Sequence, residues 1–210
     1  MKLEDFTEFE SSFASSCFQA MTSIQGKLER MRNIDGNIDE QNYVIELASS
    51  IGEKTGPTEF LLGGELRKQI TTSNKAVQDL IARLRKVSED DNLSDVTVKP
   101  DYAIHYSVKR ENLSKETQKL VIEAKTTNKI TQDLFSWDLY KLMAYVNELS
   151  FQTSVFLILN TDKNRVETLL GGYKEQGLPV IKVPRGHLLF FIQDTIGSAP
   201  KAYYLDCSED

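Results

Sequence analysis

Between Val98 and Lys125 the chain reads V-K-P-D-Y-A-I-H-Y, then a polar loop, then K-L-V-I-E-A-K. Asp101 follows Pro100 at the head of one strand-like run. Glu123 and Lys125 close a second, one hairpin later. Two carboxylates and an amine at that spacing can converge on a single point. Alternate residues of a strand share a face, so Glu123 and Lys125 are in phase. Leu120, Ile122 and Ala124 then point the other way, into a core. In the first run Asp101 is in phase with Ala103 and His105. Hard divalent cations prefer carboxylate and carbonyl oxygens. Asp101, Glu123 and the backbone carbonyl of Ala124 would form part of a shell for Mg2+ or Mn2+. A neighbouring Lys125 ammonium could offset charge developing on a phosphate or help deprotonate a water.

P-D followed by E-x-K at hairpin spacing resembles the PD-(D/E)xK nuclease superfamily, with its restriction-endonuclease-like fold. The matching positions are Pro100, Asp101, Glu123, Ala124 and Lys125. The resemblance implies Asp101 and Glu123 as metal ligands, Lys125 beside the attacking water, and a phosphodiester substrate. It also implies a further Glu from an early helix. Glu46 is the candidate, with Glu40, Glu59 and Glu65 as alternatives. The helix after the motif, by the same resemblance, brings polar groups to the phosphate. Gln132, Lys141 and Tyr145 are the equivalents here, although a clean Gln-x-x-x-Tyr signature is missing. The implied function is a metal-dependent nuclease, with DNA as the favoured substrate. One alternative is an RNA endonuclease of the viral cap-snatching type. Several of those carry a histidine on an N-terminal helix, and this chain has none before His105. Another is a non-catalytic module that keeps the fold to bind protein or nucleic acid.

The elements that must position these residues are readable in outline. Thr153 to Leu159 is a nearly continuous apolar run, as expected of a central strand covered on both faces. Phe135, Leu139, Leu142, Val146 and Leu149 recur at helical spacing over residues 131–149. Lys119 to Leu159 therefore reads as strand, helix, strand, with a right-handed crossover. Trp137, Lys141 and Tyr145 share an adjacent helix face. Residues 162–176 read as an irregular helix, and 179–183, 187–193 and 202–206 as strands. Upstream, Phe6, Phe9, Phe13, Cys17, Met21, Ile24, Leu28 and Met31 predict one long helix over residues 3–32. Its stripe faces the core or, alternatively, a homodimer or protein partner. Helices are also expected over 39–51, 65–70 and 73–88, with turns at 32–39. The predicted class is α/β, a mixed β-sheet flanked by helices with a restriction-endonuclease-like core. By the same resemblance, an N-terminal helical region (1–90) packs on a PD-(D/E)xK-like α/β core over 91–210, the two forming one compact domain.

The 210 residues can bury a sizeable core. No apolar run approaches membrane-spanning length, so no membrane partner is expected. The net charge of −6 argues against a broad coat on nucleic acid. A local basic patch remains compatible with a nucleic-acid partner. Candidates are Arg67 with Lys68, Arg83 to Lys86, and Lys125 with Lys129. The acidic run Glu89-Asp90-Asp91 reads as a solvated loop. Cys17 and Cys207 lack metal-ligand spacing and are expected in a reducing, intracellular compartment, cytoplasmic or nuclear. His105 and His187 belong to no cluster and read as structural. Neither a Ser/His/Asp set nor a zinc spacing stands out.

Overall fold

The computed structural model describes residues 1–9, 11–33, 38–56, 58–63, 68–86 and 95–207. Glu65, Arg67 and the acidic run at 89–91 lie outside the described residues. In chain order the elements are β1 (Lys2–Asp5), α1 (Ser12–Ser23), α2 (Glu40–Thr55), β2 (Leu61–Gly63) and β3 (Lys68–Thr71). Next come α3 (Lys75–Arg85), β4 (Asp95–Val98), β5 (Tyr102–His105), β6 (Gln118–Lys125) and α4 (Gln132–Asn147). The chain ends with β7 (Thr153–Leu159), α5 (Lys163–Glu175), β8 (Leu188–Gln193) and β9 (Lys201–Asp206). No helix among the described residues is long and apolar enough to cross a membrane.

Among the described residues, a mixed sheet of seven strands runs β1-β9-β8-β7-β6-β5-β2. Its centre, β6, β7 and β8, is parallel. Helices α4 and α5 make the two crossovers that parallel pairing requires. The outer pairs are antiparallel. Every residue of β7 and β8 is buried, because helices cover both faces of the sheet. Helices α3, α4 and α5 pack on one face, against Val121, Phe156, Ile158, Phe190 and Ile192. On the other, α1 and α2 pack against Ile104, Leu120, Ile122, Ala124, Val155, Leu157 and Phe191. Helix starts follow their capping residues. Asp39 accepts from the Asn42 amide at 2.8 Å, Asp162 from the Arg165 amide at 2.7 Å, and Thr131 from the Leu134 amide at 3.4 Å.

Several boundaries depart from the sequence reading. Residues 3–32 are not one helix. β1 pairs with β9, Ser11 caps α1, and α1 gives way at Ser23 to a 3₁₀ segment over Gln25–Met31. The Phe spacing imitates a helix here. Phe6 and Phe9 instead pack edge-on with one another, and Phe9 and Phe18 meet Phe191. Cys17, Met21, Ile24, Leu28 and Met31 are buried, so the stripe belongs to the core. The segment at 65–70 ends in a strand rather than a helix: β3 pairs with β4 as a separate two-stranded ribbon. Pro100 separates β4 from β5, which lie in different sheets. It has no N–H to continue a ladder. Residues 179–183 form no strand, and α5 is a regular helix. The first 90 residues thus supply two strands of the main sheet as well as helices.

Candidate functional site

The β5–β6 hairpin sets the geometry. Tyr102 lies opposite Ile122, and the Asp101 amide donates to the Ile122 carbonyl at 3.1 Å. Asp101 Oδ2 in turn accepts from the Ala124 amide at 2.7 Å. Asp101 is thereby clamped across the end of β6. Val121 joins the α4 side of the sheet, while Leu120, Ile122 and Ala124 join the α1–α2 side. Glu123 and Lys125 follow the phase of Val121 and face α4.

Helix α4 answers them with three polar side chains. Lys141 Nζ lies 2.8 Å from Glu123 Oε2 and 2.7 Å from Asp138 Oδ1. The Tyr145 hydroxyl donates to Glu123 Oε1 at 3.1 Å. Lys125 Nζ donates to the Ala124 carbonyl at 2.9 Å and lies 3.1 Å from Asp138 Oδ2. That second contact is an ion pair without hydrogen-bond alignment, so Asp138 Oδ2 is a buried oxygen outside any hydrogen bond. Glu40, in the first turn of α2, approaches Lys125 with Oε1 at 3.5 Å. The start of α2 is held over the end of β6 by the Thr126 hydroxyl, which donates to the Ile38 carbonyl at 2.7 Å.

Burial sets the electrostatics. Glu123 is 1% exposed, and desolvation pushes its carboxyl up to about 8 although Lys141 pulls the other way. Desolvation likewise raises Glu40, opposed by Lys125. For Lys125, burial favours the neutral amine, but Asp138, Glu40, Asp101 and Glu123 outweigh it, and the net shift is upward. Lys141 shows the same balance, with Glu123 and Asp138 prevailing over burial. Burial, then Glu123, raises the Tyr145 phenol. Fully ionised, four carboxyl groups against two ammonium groups leave a surplus of two negative charges.

The structure therefore brings together Asp101, Glu123, the Ala124 carbonyl, Lys125, Lys141 and Tyr145. It does not bring Glu46 or Gln132. Glu46 pairs with Lys27 at 2.6 Å on the surface of α2. The early-helix Glu beside the motif is Glu40, and Glu59 instead accepts from the Tyr106 hydroxyl. The Gln132 amide points to α5, donating to the Leu169 carbonyl at 2.9 Å and to Ser136 Oγ at 3.0 Å. Trp137 stacks on Tyr140. Sequence reasoning missed Asp138. Its signal was available: Asp138, Lys141 and Tyr145 stand at i, i+3 and i+7, one stripe of a helix. Eleven of the sixteen residues of α4 are buried, Asp138 and Lys141 among them, and a buried charge must be paired.

In kind, the donors suit a hard divalent cation, being carboxylate and carbonyl oxygens with one buried oxygen left over. Among the described residues, however, no three His, Cys, Asp or Glu side chains stand together as a ready metal-holding group. The ammonium groups hold the carboxylates in pairs instead. No family model, no curated protein and no solved structure matches the chain.

Proposed function

We propose that the chain is a metal-dependent nuclease of PD-(D/E)xK type that hydrolyses phosphodiester bonds, with DNA as the favoured substrate. The observation that carries this reading is the clamp of Asp101 across the end of β6, 2.7 Å from the Ala124 amide, beside Glu123 and Lys125. In this reading Asp101, Glu123 and the Ala124 carbonyl hold Mg2+ or Mn2+. Such an ion, when bound, polarises a phosphoryl oxygen and acidifies water. The chain's own groups do the rest. The neighbouring carboxylates hold Lys125 as an ammonium, so it offsets negative charge on the phosphoryl oxygens rather than taking a proton. Lys141 and the Tyr145 hydroxyl fix the two oxygens of Glu123. Asp138 holds both lysines. Glu40 of α2 approaches Lys125 from the more exposed side of the cluster.

A second reading has its own support. Glu123 and Asp138 are already paired, as they would be in a module that keeps the fold only to bind a partner. The two readings separate in one assay. Labelled single- and double-stranded DNA and RNA are incubated with the protein and Mn2+, alongside Asp101→Ala and Lys125→Ala. Metal-dependent cleavage by the wild type, lost in both variants, is expected, and the substrate that is cut names the class. Absence of cleavage, together with no melting shift on adding Mn2+, would favour the binding module.

A further inference from the structure

Resting on the metal-binding reading above, we propose that Lys125 has a second role, as a tethered counter-ion that a divalent cation must displace. Three oxygens from three elements surround its ammonium. They are the Ala124 carbonyl of β6 at 2.9 Å, Asp138 Oδ2 of α4 at 3.1 Å and Glu40 Oε1 of α2 at 3.5 Å. One of them is the carbonyl that the nuclease reading gives to the metal. An all-oxygen surrounding, drawn from separate elements, is what a bound cation takes. Here a primary ammonium takes it.

The two lysines of the cluster differ in their freedom to leave. The Lys141 side chain is 9% exposed and makes two short ion pairs, at 2.7 and 2.8 Å, to Asp138 and Glu123. It is the fixed counter-ion. The Lys125 side chain is 15% exposed, its pairs are longer, and one of them lacks hydrogen-bond alignment. Its flexible stem ends in a compact, strongly hydrated charge that can withdraw toward water. Withdrawal frees the Ala124 carbonyl, Asp138 Oδ2 and Glu40 together. The same residue then both supports the reaction and weakens the affinity for the ion. Removing its charge should abolish cleavage and tighten metal binding, which are opposite effects of one substitution.

The test is calorimetric titration of metal-free protein with Mn2+, using wild type, Lys125→Gln, Lys125→Met and Lys125→Arg. The fold of each is checked by melting, and Mn2+-induced melting shifts give a second measure of affinity. Both uncharged variants are expected to bind about tenfold tighter, from the loss of one positive charge beside the ion. Lys125→Arg keeps the charge and should bind within about twofold of wild type. Wild-type binding with equal or weaker binding in the uncharged variants overturns the counter-ion role and leaves the metal-binding reading intact. If neither wild type nor any variant takes up Mn2+, the metal-binding reading itself fails.

Discussion

At the scale of single residues, burial decides when Glu123 carries its charge. Its carboxyl moves from 4.5 up to about 8 because desolvation outweighs the Lys141 ammonium. The folded protein then holds this proton more tightly than the unfolded chain does. Stability linked to Glu123 is thus full below pH 4.5 and is lost as pH rises toward about 8. That is the reverse of an ordinary salt-bridged carboxylate. The metal-free protein should lose melting temperature across this window, and Glu123→Gln should flatten the decline. Parallel curves for the two proteins, measured with chelator present, would show that Glu123 does not titrate there. The position of Glu123 was legible in the sequence, because a strand's two-residue period assigns its face. Its charge state was not. That depends on how completely α4 closes over it, which no local spacing records.

At the scale of elements, the helix α4 joins the site to the scaffold. Its inner polar groups serve Glu123 and Lys125, while its first turn is fastened to α5. Gln132 does the fastening, and Gly172 of α5 leaves room for it. A Cβ on Gly172 would stand 2.2 Å from Gln132 Oε1. The obstacle is the end of a flexible side chain, so Gly172→Ala should swing Gln132 away and break its bonds to Leu169 and Ser136. Losing them costs about 1–2 kcal/mol, against about 1 kcal/mol gained from helix propensity. The single substitution should therefore be neutral to mildly destabilising. In a Gln132→Ala background the clash is gone, and Gly172→Ala should stabilise by about 1 kcal/mol. Urea unfolding of the four proteins measures the coupling, and strict additivity would refute the account. Helix α4 itself was legible from its apolar stripe. The direction of Gln132 was not, because position in a helix gives a face without saying which neighbour occupies it. The early strand β1 was hidden for a related reason. Phe6, Phe9 and Phe13 fit helical spacing, yet the backbone at Lys2–Asp5 is claimed by pairing with a strand about two hundred residues away.

At the scale of the whole molecule, the site depends on both halves of the chain. β1 completes one edge beside β9 and β2 the other beside β5, so the first 90 residues close the sheet at both ends. They also cover one of its faces. Without α1 and α2, Tyr102, Ile104, Leu120, Ile122, Val155, Leu157, Leu159, Leu189 and Phe191 would meet water. At about 1.5–3 kcal/mol for each large apolar side chain uncovered, the loss exceeds the net stability of a typical domain, about 5–15 kcal/mol. A fragment comprising residues 91–210 should therefore lack a cooperative urea transition and near-ultraviolet dichroism, even though it carries Asp101, Glu123 and Lys125. Adding Mn2+ should not rescue it, since the strand ends that hold the oxygens would have no fixed separation. A fragment that unfolds cooperatively would show instead that α4 and α5 suffice to fold the sheet, and that α1, α2 and α3 are an accessory layer.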